Sequence, residues 1–156
     1  MDKESFTRLA LERQRTLYRI ALSYTASAAD AEDAVQEALL RAWDKRHTLR
    51  EEQYFGTWLT RILINECKGL LKRRRRAAGS EALPEIPVPP VDEAALALRE
   101  AMFALPESLR VPLVLTVVEG YTLRETAAML RLPLGTVKTR VVRAKKRLKE
   151  EVGEHA

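Results

Sequence analysis

The chain has 156 residues, 46% of them hydrophobic and 31% charged, with 27 Lys and Arg against 22 Asp and Glu for a net charge of +5. Its apolar content is too high for a disordered tail, and its length suits one ordinary domain or two small ones. The single cysteine, Cys67, excludes a disulfide framework and fits a reducing compartment, and with His47 and His155 as its only histidines the chain has no ligand cluster for zinc.

No apolar run approaches the ~20 residues that span a bilayer. The opening Met1-Asp2-Lys3-Glu4 lacks the basic-then-apolar pattern of a signal peptide. A cytoplasmic protein without membrane insertion is expected.

From the N-terminus, Phe6, Leu9, Ala10, Leu17, Ile20, Ala21 and Tyr24 recur at helical spacing and predict one amphipathic helix. A second is predicted by Ala31, Ala34, Val35, Ala38, Leu39, Ala42 and Trp43. Asp30 is placed as its N-cap, with Glu32 and Asp33 in a first turn where the helix dipole favours negative charge. Gln36 and Glu37 lie further along the same helix, where capping does not account for them.

A polar connection, 45–53, leads to a third helix at about Tyr54 to Arg76. It begins with Tyr54, Phe55 and Trp58 and ends in Lys72-Arg73-Arg74-Arg75-Arg76. Five consecutive cations exceed what a helix C-terminus needs, and aromatics upstream of cations suit stacking on unpaired bases with phosphate contact. The same aromatics also fit a core.

The segment Ala77 to Val91 contains Pro84, Pro87, Pro89 and Pro90 and is read as a non-helical linker with a reach of roughly 45 Å. Two domains follow, 1–76 and 92–156. Residues 1–76 carry 16 cations and 11 acids, 77–104 one and five, and 105–156 ten and six, so two basic blocks flank an acidic middle.

In the second block, Leu105-Pro106 opens a helical stretch that ends at Glu119-Gly120, with a break or restart expected at Pro112. Thr122-Leu123-Arg124-Glu125 is a capping box for a short helix through Leu130. After a turn at Arg131-Leu132-Pro133, with Pro133 suited to a first helical position, a long helix is predicted from Leu134 to about Val152. Its apolar stripe is Val137, Val141, Ala144 and Leu148. One residue earlier runs Thr136, Arg140, Arg143 and Arg147, and between Leu134 and Lys149 there are seven cations and no acid. Short helix, tight turn and long helix, buried on one side and cationic on the next, make a helix-turn-helix whose second helix enters the DNA major groove.

These residues resemble the extracytoplasmic function sigma factors of bacterial RNA polymerase. The N-terminal match is Asp30-Ala31-Glu32-Asp33, Val35-Gln36-Glu37, Trp43, Phe55-Gly56-Thr57-Trp58-Leu59, Arg61-Ile62 and Asn65. The C-terminal match is Leu105-Pro106, Arg110, Leu115, Glu119-Gly120-Tyr121, Glu125, Ala127, Leu130, Gly135 through Arg140, and Arg143-Ala144. The resemblance implies an all-α protein with counterparts of the second and fourth sigma domains. Asp33, Gln36 and Glu37 would dock on the β′ coiled coil of core polymerase. The 46–53 loop with Phe55, Trp58, Arg61, Asn65 and Lys68 would hold the opened promoter −10 element. Thr136, Lys138, Thr139, Arg140 and Arg143 would read the −35 element, the helices before them would contact the β flap, and an anti-sigma factor would be a further partner.

Thr126 departs from the family's usual aliphatic residue and Thr139 from its commoner serine. No metal, cofactor or catalytic constellation is expected, and Cys67 reads as a small apolar residue. The alternative is a transcriptional regulator that binds duplex DNA through the same helix-turn-helix without polymerase, which leaves the N-terminal block unaccounted for.

Overall fold

The computed structural model describes residues 1–78 and 92–154. Its elements are helical throughout, and the chain divides into two compact units, Met1–Glu85 and Ile86–Ala156.

The first unit holds α1 (Lys3–Glu12), α2 (Gln14–Thr25), α3 (Ala28–Asp44) and α4 (Phe55–Ala78), with short 3-10 turns at Arg46–Thr48 and Glu52–Tyr54. The single N-terminal helix predicted above is two. Arg13, at φ −105° and ψ 3°, interrupts it, and its N–H turns back to the Ala10 carbonyl at 3.2 Å. Asp2 caps α1 by accepting the Ser5 N–H at 2.7 Å.

The cap of α3 is also corrected. Ser27, in extended backbone, accepts the Asp30 N–H at 3.3 Å, so Asp30 is the first-turn acid while Glu32 and Asp33 fall one turn later. The Asp30 carboxylate instead meets Arg74 near the end of α4 at 2.6 Å. That ion pair ties the start of α3 to the last turns of α4.

Packing follows from a run of small residues. Ala31, Ala34, Ala38 and Ala42 are at most 1% exposed and let α2 and α4 approach α3 closely. Leu17 and Ile20 fill one side, and Phe55, Leu59, Leu63, Ile64 and Cys67 the other. Each such large side chain contributes roughly 1.5–3 kcal/mol by leaving water. Phe6 closes the end edge-on to both Trp43 and Phe55, with ring centroids at 5.3 and 5.7 Å.

Helix α4 runs on through Ala77 and Ala78, two residues into the segment read as non-helical, because the first helix-breaking proline is Pro84. Residues 79–91, the rest of the proposed linker, lie outside the described residues.

The second unit holds α5 (Glu93–Ala104), α6 (Glu107–Leu113), a π-helical turn at Val114–Val118, α7 (Leu123–Leu130) and α8 (Leu134–Glu154). Asp92 caps α5, a helix that the sequence reading does not single out, by accepting the Ala95 N–H at 2.8 Å. Pro112 neither breaks nor restarts the helix. It is buried inside α6, and the chain continues into the wider π turn, where the Thr116 hydroxyl donates to the Pro112 carbonyl at 2.8 Å. Gly120 then ends the stretch at φ +79°, a left-handed conformation suited to glycine.

Arg110 is 8% exposed and donates to the Leu105 carbonyl at 2.7 Å, joining the end of α5 to α6. Burial pushes its pKa below the ordinary guanidinium value, with Glu107 opposing.

Candidate nucleic-acid and polymerase interfaces

Helix α3 presents Asp33, Gln36 and Glu37 on the side away from its alanine stripe, all three exposed. Leu40 continues that line one turn on and is 63% exposed. An apolar side chain at the end of an acidic stripe is a surface for a basic, partly apolar partner. Sequence reasoning missed Leu40, although its place one turn beyond Gln36 and Glu37 was available as a signal.

The connection between α3 and α4 is anchored at both ends. The Arg46 guanidinium lies 3.7 Å from the centroid of the Trp43 ring and donates to the Trp43 carbonyl at 2.8 Å. Across the loop, the Trp58 indole N–H donates to the Thr48 hydroxyl at 3.1 Å, and that hydroxyl donates to the Lys45 carbonyl at 2.7 Å. Both tryptophans thus hold the loop in shape.

On α4, Trp58, Arg61, Asn65 and Lys68 follow a 3, 4, 3 spacing and share one face, opposite Leu59, Leu63 and Cys67. Asn65 and Lys68 are exposed, whereas Trp58 and Arg61 are half-buried. Phe55 does not join them. At 1% exposed it lies in the aromatic core against Phe6, so its expected DNA contact is corrected to a packing role. Tyr54, just before it, is 56% exposed and is the outward aromatic at this helix start.

In the second unit the capping box forms as read. The Thr122 hydroxyl accepts the Glu125 N–H at 3.0 Å and the Glu125 carboxylate accepts the Thr122 N–H at 2.9 Å. Arg131, left-handed at φ 55°, turns the chain. Pro133 stands at the cap of α8 rather than in its first turn, its carbonyl accepting the Val137 N–H at 3.2 Å.

Val137, Val141 and Ala144 are buried, Val137 and Val141 against Ala127, and Ala144 against Leu105, Leu109 and Leu113 with Leu148 alongside. The expected site residues therefore fall on the open sides of α8. Lys138, Thr139 and Arg143 are exposed, while Thr136 and Arg140 are half-buried at the margin. Thr139 donates its hydroxyl proton to the Gly135 carbonyl at 2.9 Å, which leaves the hydroxyl oxygen as an acceptor for a further partner. Seven cations on a helix whose buried face is apolar form a surface for a polyanion.

Among the described residues no group of His, Cys, Asp or Glu is placed to hold a metal ion, and no helix is long and apolar enough to cross a membrane.

Comparison with known proteins accounts for both units. The Sigma-70 region 2 family matches residues 9–77 and the Sigma-70, region 4 family matches residues 95–148. The chain belongs to the extracytoplasmic function subfamily of bacterial RNA polymerase sigma factors. It is 35% identical to the ECF RNA polymerase sigma factor SigM of Mycobacterium tuberculosis, over 97% of this chain and 79% of that one. It is 32% identical to the RNA polymerase sigma-H factor of Pseudomonas aeruginosa, over 92% and 84% of the two chains.

Among solved structures it is similar to the sigma factor RpoE of Bartonella quintana, crystallised with the anti-sigma factor NepR. The TM-score is 0.86 at 26% identity, over 95% of this chain and 96% of that one. Membership makes the protein a transcription initiation factor that binds core RNA polymerase and directs promoter recognition, and not an enzyme. The region 2 match also sets aside a regulator acting without polymerase, which left the first unit without a role.

Proposed function

We propose a division of labour between the two units. Residues 1–76 dock on the β′ coiled coil of core polymerase through Asp33, Gln36 and Glu37. They hold the opened −10 element with the 46–53 loop, Trp58, Arg61, Asn65 and Lys68. Residues 92–156 read the −35 element with Thr136, Lys138, Thr139, Arg140 and Arg143 of α8, and the helices before it touch the β flap. The intervening 77–91 connects the two. A protein inhibitor of the kind that accompanies the Bartonella relative would act by covering these faces.

The observation that carries this reading is the contrast between the two exposed helix faces. The α3 stripe is acidic and ends in an apolar residue, which suits a protein partner, whereas α8 from Leu134 to Lys149 has seven cations and no acid, which suits DNA.

The test separates assembly from reading. Asp33→Ala combined with Glu37→Ala lowers affinity for core polymerase, measured by co-elution on gel filtration and by competition. Arg140→Ala or Arg143→Ala leaves co-elution intact and weakens transcription from −35-dependent promoters by about 1–3 kcal/mol per lost base contact. Equal loss of assembly and promoter use in both sets of variants would overturn the division.

A further inference from the structure

Helix α8 carries an apolar side chain where its cationic surface gives no reason for one. Val142 is 60% exposed. At roughly 100° per residue, Gly135, Thr139, Val142 and Lys146 form a ridge on the side away from Val137, Val141, Ala144 and Leu148. Arginines line one flank of that ridge as Arg140, Arg143 and Arg147, and lysines line the other as Lys138, Lys145 and Lys149. The ridge is also open at its N-terminal end, where nothing lies within 4 Å of the place a Cβ on Gly135 would take.

Most polyanions offer an apolar group nothing to touch. The DNA major groove does, because each thymine projects its C5-methyl between the base-edge donors and acceptors. A helix entering the groove along this ridge has its flanking cations aimed at the two phosphate walls and its central side chains at base edges. A protein partner for Val142 would have to accept lysine and arginine on both sides of one small contact.

We propose that Val142 is a specificity-determining residue that reads a thymine through its C5-methyl. This rests on the assignment of α8 to the −35 element and adds one base identity to it.

The experiment uses the full chain assembled with core RNA polymerase. A promoter duplex is selected from a library randomised over the −35 block. Each of its thymines there is then replaced in turn by deoxyuridine, which removes the methyl and leaves the base-pairing edge intact. Burying one methyl is worth about a fourfold change in affinity. One thymine is expected to lose that factor on replacement. Val142→Ala is expected to lose a similar factor on the thymine duplex and to become indifferent to the replacement at that position alone.

A selected block without a preferred thymine, or discrimination undiminished in Val142→Ala, would overturn the proposal. So would a Val142→Ala protein that assembles poorly with polymerase while keeping its thymine preference, because Val142 would then be a protein contact. Failure of α8 itself as the reader shows differently: Arg140→Ala and Arg143→Ala would leave the −35 preference unchanged.

Discussion

Thr126 is fully buried in α7, and its hydroxyl has no hydrogen-bond partner among the described residues. A buried hydroxyl without a partner loses its water and gains nothing in return, at a cost of about 1–3 kcal/mol. Thr126→Val keeps the shape and removes the polar atom. It should raise stability by about 1 kcal/mol, read as a higher urea midpoint with an unchanged slope, and a lower midpoint would show that the hydroxyl is satisfied. Thr126 was already visible in the sequence as a departure from an aliphatic position, but its burial was not. Phe55 is the opposite case. Aromatics at a helix start are more often core than base platform, the cations downstream and the family resemblance pointed Phe55 to DNA, and the edge-on contact with Phe6, far off in sequence, places its ring in the core.

At the scale of elements, the cap and the ion pair at the start of α3 separate two kinds of stabilisation. Ser27→Ala should cost about 1 kcal/mol at any ionic strength, because it removes a local hydrogen bond to the Asp30 N–H. Asp30→Ala should cost less and lose most of its effect in high salt, since Arg74 in the pair is 59% exposed. Thermal unfolding of the two variants in low and high salt distinguishes them, and a salt-independent Asp30→Ala would place that carboxylate in the cap after all.

Which elements were legible follows from periodicity. The capping box, α8 and its buried stripe needed only local spacing. The break at Arg13 was hidden because Ala10 and Leu17 stand seven residues apart, two full turns, so an uninterrupted helix satisfies the same pattern. Helix α5, with Ala94 through Leu98 and Ala101 through Ala104 apolar almost all round, offered no polar-to-apolar contrast to detect. Pro112 was misread because it stands next to last in α6, where the one backbone bond it removes does not stop the chain from winding on into the π turn, and that turn has no signature in residue type.

For the whole molecule, a net charge of +5 understates what DNA meets. The cations gather at the end of α4 and along α8, one cluster in each unit, while residues 77–104 hold five acids and one cation. Binding of polymerase containing this chain to a promoter duplex should weaken steeply with salt. Lys145→Ala with Lys149→Ala, and separately Arg73→Ala with Arg75→Ala, should each reduce the slope of log affinity against log salt by about two. An unchanged slope in either pair would remove that cluster from the phosphates. The α8 half of this surface could be read directly from charge and spacing. The α3 face could not, because an acidic exposed stripe is ordinary on a soluble helix, and its assignment needed the family resemblance.

The division into two compact units on one chain has a further consequence for how long a promoter is held. If each unit takes one promoter element, as proposed, their covalent connection places the second at an effective concentration far above that of free protein once the first is seated. Joint attachment can then exceed either single affinity by about two to four orders of magnitude. Each unit can therefore grip weakly. The same arithmetic runs backwards: once either grip is displaced, the gain from tethering vanishes and the remaining hold is short-lived, so a complex that selects its promoter tightly can still be dismantled one contact at a time.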